Sequence, residues 1–257
     1  MNKILISCPV AERYAYCLAP YFNALDSQTL QDFSVMLVDN SKAGNFCRQL
    51  REQVGQNAFG LKNTFPIHVI RGAYQENVKA RVINSRNLIR EYALKQGFTH
   101  LFSLEIDVIP PVYALHTLLS RQKDIISGVY CKEFILNIEK NGKVIKTEKL
   151  DIPLLYTFTN IPGKMKRLLK RDVQEPRVME IRSCGLGCVL IKKDVLEKVQ
   201  FRHAKGNEGW DDVWFCNDAI DQGFRIFADT SITCQHLEKQ KGEIWKEYDK
   251  FGAQRKS

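Results

Sequence analysis

The sequence predicts an α/β protein with a mostly parallel central sheet flanked by helices. Short apolar runs with the length of buried strands alternate along the chain with longer segments of helical periodicity, and this alternation favours parallel strands joined by helices. The chain has 257 residues, of which 44% are hydrophobic and 26% are charged. That size and composition are typical of a protein with one sizeable core, so we expect one domain.

The elements can be placed in order along the chain. The apolar runs predict strands over 4–8, 34–41, 67–71, from 101, and over 124–130, 187–191, 225–228 and 231–236. The helical segments cover 12–25, 45–54, 77–96, the stretch from Pro111 to 121, 193–199 and 213–222. Gly97 and Gly223 follow two of these segments, at the position where glycine commonly ends a helix.

Residues 132–180 depart from this alternation and are predicted to form an insertion. Asn141 and Gly142 stand between two apolar positions, which is a strong signal for a β-hairpin. Five basic residues lie between Lys164 and Arg171, interleaved with apolar ones, and predict a basic helical turn. We therefore expect a single domain over 1–237 that contains the insertion, followed by a basic, helical tail over 238–257.

Two acids stand at the end of the apolar strand that begins at Leu101. If the strand continues through them, Glu105 and Asp107 share one face, because strand side chains alternate. The carboxyl ends of strands are the edge at which open α/β sheets bind ligands. A pair of carboxylates there suits Mg²⁺ or Mn²⁺ carrying substrate phosphates.

The charge and the cysteines narrow the classes of partner. A formal net charge of +9 points to an anionic partner, which can be nucleic acid, a membrane surface or a phosphorylated small molecule. The eight cysteines show no CxxC spacing, and we interpret most of them as buried thiols. One zinc cluster remains as an alternative, built from Cys184, Cys188, Cys234 and His236. Since no apolar run is long enough to span a bilayer, we expect a cytoplasmic protein.

Read as a set, four motifs resemble the GT-A (Rossmann-like) glycosyltransferases, in particular the inverting family-two type. Glu105-Ile106-Asp107 stands at the position of that family's DxD motif. Residues 185–191 match its glycine-rich strand, Trp210-Asp211-Asp212 matches its pair of acids at a helix start, and His236 matches a histidine after the last strand. The resemblance spans residues 4–237 in the same order.

The resemblance implies a metal site and a catalytic base. Asp107 would bind Mn²⁺ or Mg²⁺, and Glu105, which departs from the family's usual Asp, would support it at the metal or the ribose. His236 would be a further ligand of the metal or of the diphosphate. Asp212 would be the base that takes the proton of an acceptor hydroxyl, with Asp211 beside it. The alternative is a structural role, because negative charge at the N-terminus of a helix stabilises the helix.

The remaining family positions concern the donor and the acceptor. Asp39, the segment Cys8-Pro9-Val10, Arg81 and Arg86 would bind the nucleoside and the diphosphate of a nucleoside-diphosphate sugar. Gly185, Gly187 and Trp210 would lie on the acceptor side, although the glycines can equally mark a bulge. The acceptor would be a hydroxyl of a glycan, a lipid carrier or a protein, and the basic segments allow a peripheral membrane contact.

Two other classes of protein are alternatives to the transferase. A sugar-nucleotide pyrophosphorylase shares the sheet, but Cys8-Pro9-Val10-Ala11-Glu12 lacks the glycine-rich, basic loop that such enzymes carry after the first strand. A non-catalytic nucleic-acid-binding protein would fit the positive charge, but it would need basic residues interleaved with exposed aromatics, which only the tail approaches. We therefore expect no nucleic-acid partner.

Overall fold

Within the part of the chain that the computed structural model describes, eight strands form one central sheet. The structure describes residues 2–140, 143–161, 164–204, 209–237 and 243–244. For residues 138–140, 143, 144, 243 and 244 it describes the backbone alone. The strands are β1 (Ile4–Val10), β2 (Phe33–Asp39), β3 (Ile67–Arg71), β4 (His100–Leu104), β5 (Val108–Ile109), β6 (Ile125–Val129), β7 (Cys131–Lys140), β8 (Lys143–Pro153), β9 (Leu155–Phe158), β10 (Met165–Arg167), β11 (Val178–Ile181), β12 (Ser183–Cys184), β13 (Cys188–Lys192), β14 (Ile226–Thr233), β15 (Gln235–His236) and β16 (Glu243–Ile244). The helices are α1 (Leu18–Asp26), α2 (Asn45–Gly55), α3 (Val78–Lys95), α4 (Ala114–Ser120), α5 (Lys193–Lys198) and α6 (Asp211–Asp221), with 3₁₀ helices over Glu12–Cys17 and Lys170–Val173.

The central sheet is mostly parallel, which confirms the predicted fold class. Its strand order is β11-β14-β6-β13-β4-β1-β2-β3. β13 runs antiparallel to both its neighbours and β11 runs antiparallel to β14, whereas the other neighbouring pairs are parallel. The carboxyl ends of the six strands that share a direction therefore meet at one edge of the sheet.

Each face of the sheet packs against its own hydrophobic core. Ile4, Ile6 and Cys8 of β1 contribute to one core, whereas Leu5 between them contributes to the other. The first core includes the buried faces of α1, α2 and α4, and the second includes those of α3, α5 and α6. Strands that are apolar on both faces are typical of a sheet covered on both sides.

The predicted elements are largely confirmed, although several differ in their bounds. The helix predicted over 12–25 is a 3₁₀ helix followed by α1, because Pro20 has no N–H to donate and is tolerated only in the first turn of an α-helix. α6 begins at Asp211, two residues earlier than predicted. The two strands predicted over 225–236 are one long strand, β14, and the short β15.

The insertion contains the predicted β-ribbon. β7 and β8 pair antiparallel from Cys131 and Pro153 outward. Asn141 and Gly142, which predicted the turn, lie outside the described residues. Of the tail predicted to be helical, only the backbone of residues 243–244 is described, and it forms β16, which pairs parallel with β7.

The basic helical turn predicted around Lys164 is wrong. Residues Met165–Arg167 form β10, which pairs with β9 in a small three-stranded sheet with β12. A strand sends neighbouring side chains to opposite faces. Arg167 accordingly turns inward, with its guanidinium carbon 4.7 Å from the centre of the Tyr156 ring, while Lys166 is exposed.

None of the helices in the described ranges combines the length and the hydropathy that a bilayer-spanning helix needs.

Candidate functional site

The two acids of the ExD motif lie in a turn, not on a strand. β4 ends at Leu104, and the amide of Val108 donates a hydrogen bond of 2.9 Å to the carbonyl of Glu105. The prediction that strand alternation brings the acids together is therefore wrong. The turn still places Glu105 and Asp107 at the carboxyl end of β4, as the sequence predicted.

β5 and β15 hold Asp107 beside His236. These two short strands pair antiparallel, with His236 opposite Val108, and the amide of Leu237 donates to the carbonyl of Asp107 at 2.8 Å. The side chains of Asp107 and His236 consequently face each other, with 3.6 Å between Oδ2 and Nε2. A residue near the end of the described domain thus completes the turn after β4.

The imidazole of His236 is oriented by the backbone. Its Nδ1 lies 2.9 Å from the carbonyl of Cys131, which can only accept, so Nδ1–H donates and Nε2 is left facing Asp107. The Tyr130 ring packs edge-on against the imidazole with 5.4 Å between ring centres. Histidine metal ligands are commonly oriented through such a hydrogen bond from the other ring nitrogen.

The Asp107–His236 pair fits a divalent ion in its donor chemistry. A carboxylate oxygen and an imidazole nitrogen are ligands that Mn²⁺ accepts. In the ranges that the structure describes, no three His, Cys, Asp or Glu side chains are grouped closely enough to hold an ion. The pair alone would therefore leave several ligand positions to substrate phosphates and water, as is usual for Mg²⁺ sites.

Arg86 joins Glu105 to Asp211. Its guanidinium makes ion pairs with Glu105 at 2.6 Å and with Asp211 at 2.7 Å, and its Nη1 donates to Ser103 at 3.2 Å. Only 6% of Arg86 is exposed. Burial lowers the pKa of this guanidinium, whereas the negative charges of Asp211 and Glu105 raise it. The two carboxylates outweigh burial, so the net pKa shift is upward and Arg86 stays charged. Arg86 is thus held by three protein groups, and its predicted contact with a diphosphate stays a prediction.

Asp212 follows at the start of α6 and is half-buried. Its Oδ1 accepts a hydrogen bond of 2.7 Å from the amide of Val213. Burial and the neighbouring charge of Asp211 raise the pKa of Asp212 to about 7, although Arg86 and the Val213 amide act in the opposite direction. A carboxyl group with that pKa exchanges its proton near neutral pH, which is the property that a general base needs.

Glu105 lies in the same electrostatic environment. Burial, Asp107 and Asp211 raise its pKa, and the ion pair with Arg86 offsets only part of this effect. The acids after β4 and the acids at the start of α6 therefore influence each other's protonation.

Tyr130 is a site residue that the sequence reasoning missed. Its hydroxyl accepts a hydrogen bond of 3.0 Å from the amide of Gly187. A Cβ at Gly185 would lie 2.2 Å from that hydroxyl, and a Cβ at Gly187 would lie 2.6 Å from the ring, so both glycines make room for the tyrosine. The two glycines therefore allow the close approach of Tyr130, while their predicted place on the acceptor side stays a prediction. The one available signal was the position of Tyr130 directly after β6.

An open cleft lies beyond the ends of β1 and β2. Its volume is about 410 Å³, and its lining comes mainly from loops: Ala11, Glu12, Arg13, Asn40, Ser41, Lys42, Ala43, Tyr74 and Arg81. The guanidinium carbon of Arg81 lies 4.9 Å from the centre of the Tyr74 ring. Three basic side chains and one aromatic ring give the cleft the chemistry of an anion site with a stacking surface.

The predicted nucleoside-side residues lie close to this cleft, but mostly beneath it. Cys8 and Val10 are buried in the core, and the adjoining wall is built by residues 11–13. Asp39 is fully buried, ion-paired with Arg71 and accepting a hydrogen bond of 2.9 Å from the Ser41 amide. Pro9 is half-buried and Arg81 lines the cleft itself. Contacts of these residues with a nucleoside stay a prediction.

Trp210 is half-exposed at the N-terminus of α6, with Lys79 of α3 beside it. The Lys79 ammonium lies 5.3 Å from the centre of the indole and donates to the carbonyl of Gly209 at 3.2 Å. An exposed aromatic ring beside two acids is a suitable surface for the apolar face of a sugar. The predicted acceptor contact is not tested by this placement.

The cysteines do not form the alternative zinc cluster. The thiol of Cys184 interacts with that of Cys216, and the thiol of Cys188 interacts with that of Cys234. All eight cysteines are free thiols, and Cys131 is the one that is not fully buried. The four predicted ligands are thus divided between separate contacts.

Comparison with known proteins supports the fold but assigns no family. No family model matches the sequence, and no curated protein matches it. The crystal structure of GalNAc-T7 with UDP, GalNAc and Mn²⁺ is similar, with a TM-score of 0.62, 13% identity and 95% of this chain covered. This chain spans 45% of that protein. The crystal structure of A197 from STIV is similar with a TM-score of 0.50 and 15% identity, over 93% of this chain and 87% of that one. The chain therefore has a GT-A-like α/β fold.

Proposed function

We propose that this protein is a metal-dependent glycosyltransferase. It moves a sugar from a nucleoside-diphosphate sugar to a hydroxyl acceptor, with inversion at the transferred carbon. The observation that carries this proposal is the meeting of two chemically different groups at one edge of the sheet. The Asp107–His236 pair suits a divalent ion, and Asp212 suits the role of a base. The negative charges of Asp107 and Asp211 both raise the pKa of Glu105.

Asp107 and His236 are the residues that would hold Mn²⁺ or Mg²⁺. When bound, such an ion neutralises the negative charge of the leaving diphosphate. Glu105 already pairs with Arg86 and is one-third exposed, so it supports the turn and adds negative charge next to the ion. The likeness to a fold that binds UDP and Mn²⁺ in GalNAc-T7 is consistent with this role.

Asp212 is the proposed base. Inversion requires that the acceptor hydroxyl lose its proton as the new bond forms, and a carboxylate with a pKa of about 7 accepts that proton efficiently near neutral pH. Asp211 cannot take this role while its carboxylate is paired with Arg86. Trp210 directly precedes the two acids in the chain, and β12, which ends just before Gly185, packs against α6. We therefore assign Trp210, Gly185 and Gly187 to the acceptor side.

The open cleft is the proposed site of the donor nucleotide. Its volume of about 410 Å³ is within the range of small-ligand sites. Arg13, Lys42 and Arg81 would attract the negative diphosphate, and Tyr74 would offer a ring for stacking. The acceptor is a hydroxyl of a glycan, a lipid carrier or a protein, and we place the enzyme in the cytoplasm with an optional contact to the membrane surface.

The test is a panel of nucleoside-diphosphate sugars measured by thermal unfolding with and without Mn²⁺. One donor is expected to raise the Tm only when the metal is also present, and EDTA should reverse the rise. The same donor should be hydrolysed slowly in the absence of an acceptor. If no donor binds in the presence of Mn²⁺ or of Mg²⁺, the transferase proposal is wrong.

A parallel assay separates the transferase from its rivals. A pyrophosphorylase would release pyrophosphate from a nucleoside triphosphate and a sugar 1-phosphate. A nucleic-acid-binding protein would retain oligonucleotides with an affinity that falls steeply as salt rises. We expect neither result.

A further inference from the structure

Arg86 makes contacts with elements on both sides of the candidate site. It projects from α3, reaches Glu105 in the turn after β4 and reaches Asp211 at the start of α6. Only 6% of the Arg86 side chain and 7% of the Asp211 side chain are exposed. An ion pair at this depth is weakly screened by salt and holds its geometry better than a surface pair.

The charge arrangement explains why an arginine stands here. One guanidinium lies between two carboxylates, with Ser103 as a third partner. Arginine offers several N–H donors in a planar fork, whereas lysine offers one compact ammonium group. Lysine at this position would satisfy one of the two acids and leave the other without its partner in a buried place.

The same helix also anchors the segment that leads into α6. Asn87 exchanges two hydrogen bonds with the backbone of Phe201, at 2.8 Å and 3.0 Å. Arg90, one turn further along, donates to the carbonyls of Leu196 and Val199 at 2.6 Å and 2.9 Å. Phe201 in turn stacks on Phe215 of α6 with 4.7 Å between ring centres. Of the three anchoring side chains, Arg86 is the one that also reaches the turn after β4.

We propose that Arg86 is a positioning residue that fixes the start of α6, on the acceptor side, to the turn after β4, on the metal side. It does this by holding Asp211 and Glu105 on one guanidinium, so that Asp212 keeps a constant place relative to Asp107. This role rests on the proposed function, which makes these two places the base and the metal ligand. Arg86 itself then contacts neither the diphosphate nor the acceptor.

The link between the two sides can be tested without any substrate. Hydrogen–deuterium exchange should become faster in Arg86→Lys both in the turn at 105–109 and at 211–214. The matched control is Arg90→Lys, a buried arginine on the same helix, which should loosen residues 196–201 and leave the turn at 105–109 unchanged. Faster exchange on one side only, or equal loosening of the turn in the control, would overturn the proposal.

A double-mutant cycle measured by thermal unfolding tests the same link through stability. Arg86→Met leaves the buried carboxylate of Asp211 and the partly exposed carboxylate of Glu105 without their cation, and its Tm should fall by about 10 °C. Arg86→Met combined with Asp211→Asn removes one of those charges and should recover part of that loss. A double variant that is destabilised by the sum of the two single changes would show that the pair is not coupled.

The catalytic readout separates positioning from diphosphate binding. In Arg86→Lys the affinity for UDP with Mn²⁺ should stay within about threefold of wild type while kcat falls at least ~10-fold. Loss of UDP affinity in proportion to turnover would assign Arg86 to the diphosphate and refute positioning. If the wild type transfers no sugar at all, the proposed function fails, and the exchange and thermal results alone decide whether the link exists.

Discussion

The acidic edge of the sheet and the open cleft differ in how their side chains are held. At the acidic edge, Asp211, Glu105 and His236 each have a partner within the protein at hydrogen-bond or ion-pair distance. The cleft is lined mainly by loop residues, and its Lys42 makes an ion pair with Glu76 in which both side chains are more than three-quarters exposed. The acidic edge is therefore preorganised by contacts within the protein, whereas the charged side chains of the cleft are available to a ligand. Substitutions should therefore act on chemistry and stability at the edge, and on affinity in the cleft.

The largest effect is expected from Asp107→Ala. It removes the negatively charged member of the Asp107–His236 pair, and losing a direct ligand should cost more than the roughly 10–100-fold that loss of an outer partner costs in metal affinity. Mn²⁺-dependent binding of UDP, measured by calorimetry, should disappear together with transfer. An active Asp107→Ala enzyme would refute the metal assignment.

The next effect is expected from Asp212→Asn. Turnover should fall roughly 10²–10⁴-fold because the amide cannot accept the acceptor's proton, while the affinity for the donor is retained. In the wild type, kcat/KM should rise with pH through about 7 as Asp212 loses its proton, and this limb should be absent from the variant. Weakened donor binding without a rate defect would count against the base assignment.

The raised pKa of Asp212 also predicts the direction in which the free energy of unfolding changes with pH. The pKa of Asp212 is raised from 3.8 to about 7 on folding, so the folded state holds this proton more tightly than the unfolded state. The contribution to stability is therefore favourable at low pH and is lost as the pH rises from about 4 to about 7. Urea unfolding at both ends of that window should show a smaller difference in Asp212→Asn than in wild type.

A moderate effect is expected from Gly187→Ala. The new methyl group would lie 2.6 Å from the Tyr130 ring and should lower the free energy of unfolding by about 1–3 kcal/mol. Gly55→Ala is the matched control, because a Cβ there meets no atom within 4 Å, and it should be neutral or slightly stabilising. Equal effects of the two changes in urea unfolding would contradict the account of Tyr130.

The smallest effect is expected from Lys42→Ala in the cleft. Removing one exposed cation should weaken UDP binding by about 3–10-fold, which corresponds to ~1 kcal/mol, without a change in unfolding. Lys149→Ala, an exposed lysine on the insertion that pairs with Glu133, is the control and should leave UDP binding unchanged. If Lys42→Ala changed stability as much as affinity, the contrast between the two regions would not hold.

The sequence predicted the acidic edge better than the cleft, and the reason is physical. Strand and helix periodicity located the ends of β4 and β14 and the start of α6 to within a few residues, because burial imposes that periodicity. The cleft depends on loops such as residues 41–43 and 73–76, whose conformation has no periodic signal. Asp39 illustrates the limit: its place at the end of β2 was predicted, but its pairing with Arg71 depends on the register between β2 and β3.

Arg86 and Tyr130 show a second limit. The sequence placed Arg86 near the site but did not identify Tyr130. A buried charge network is set by three-dimensional neighbours far apart in sequence: Arg86 joins residues 19 and 125 positions away. The basic segment around Lys164 failed for a related reason. Interleaved basic and apolar residues fit a helical turn and a strand equally well over so few positions, and the pairing with β9 decided between them.

The pairing of β5 with β15 has a consequence for the order in which the protein becomes competent. The central sheet is contributed by residues up to Thr233, whereas His236 and the amide of Leu237 come after it and grip Asp107 only then. During synthesis the acids of the turn emerge about 130 residues before the imidazole that faces them, and the chain grows at about 5–20 residues per second. A ribosome-bound chain that already has its whole sheet would therefore still lack the contact between Asp107 and His236, on which the proposed metal site depends.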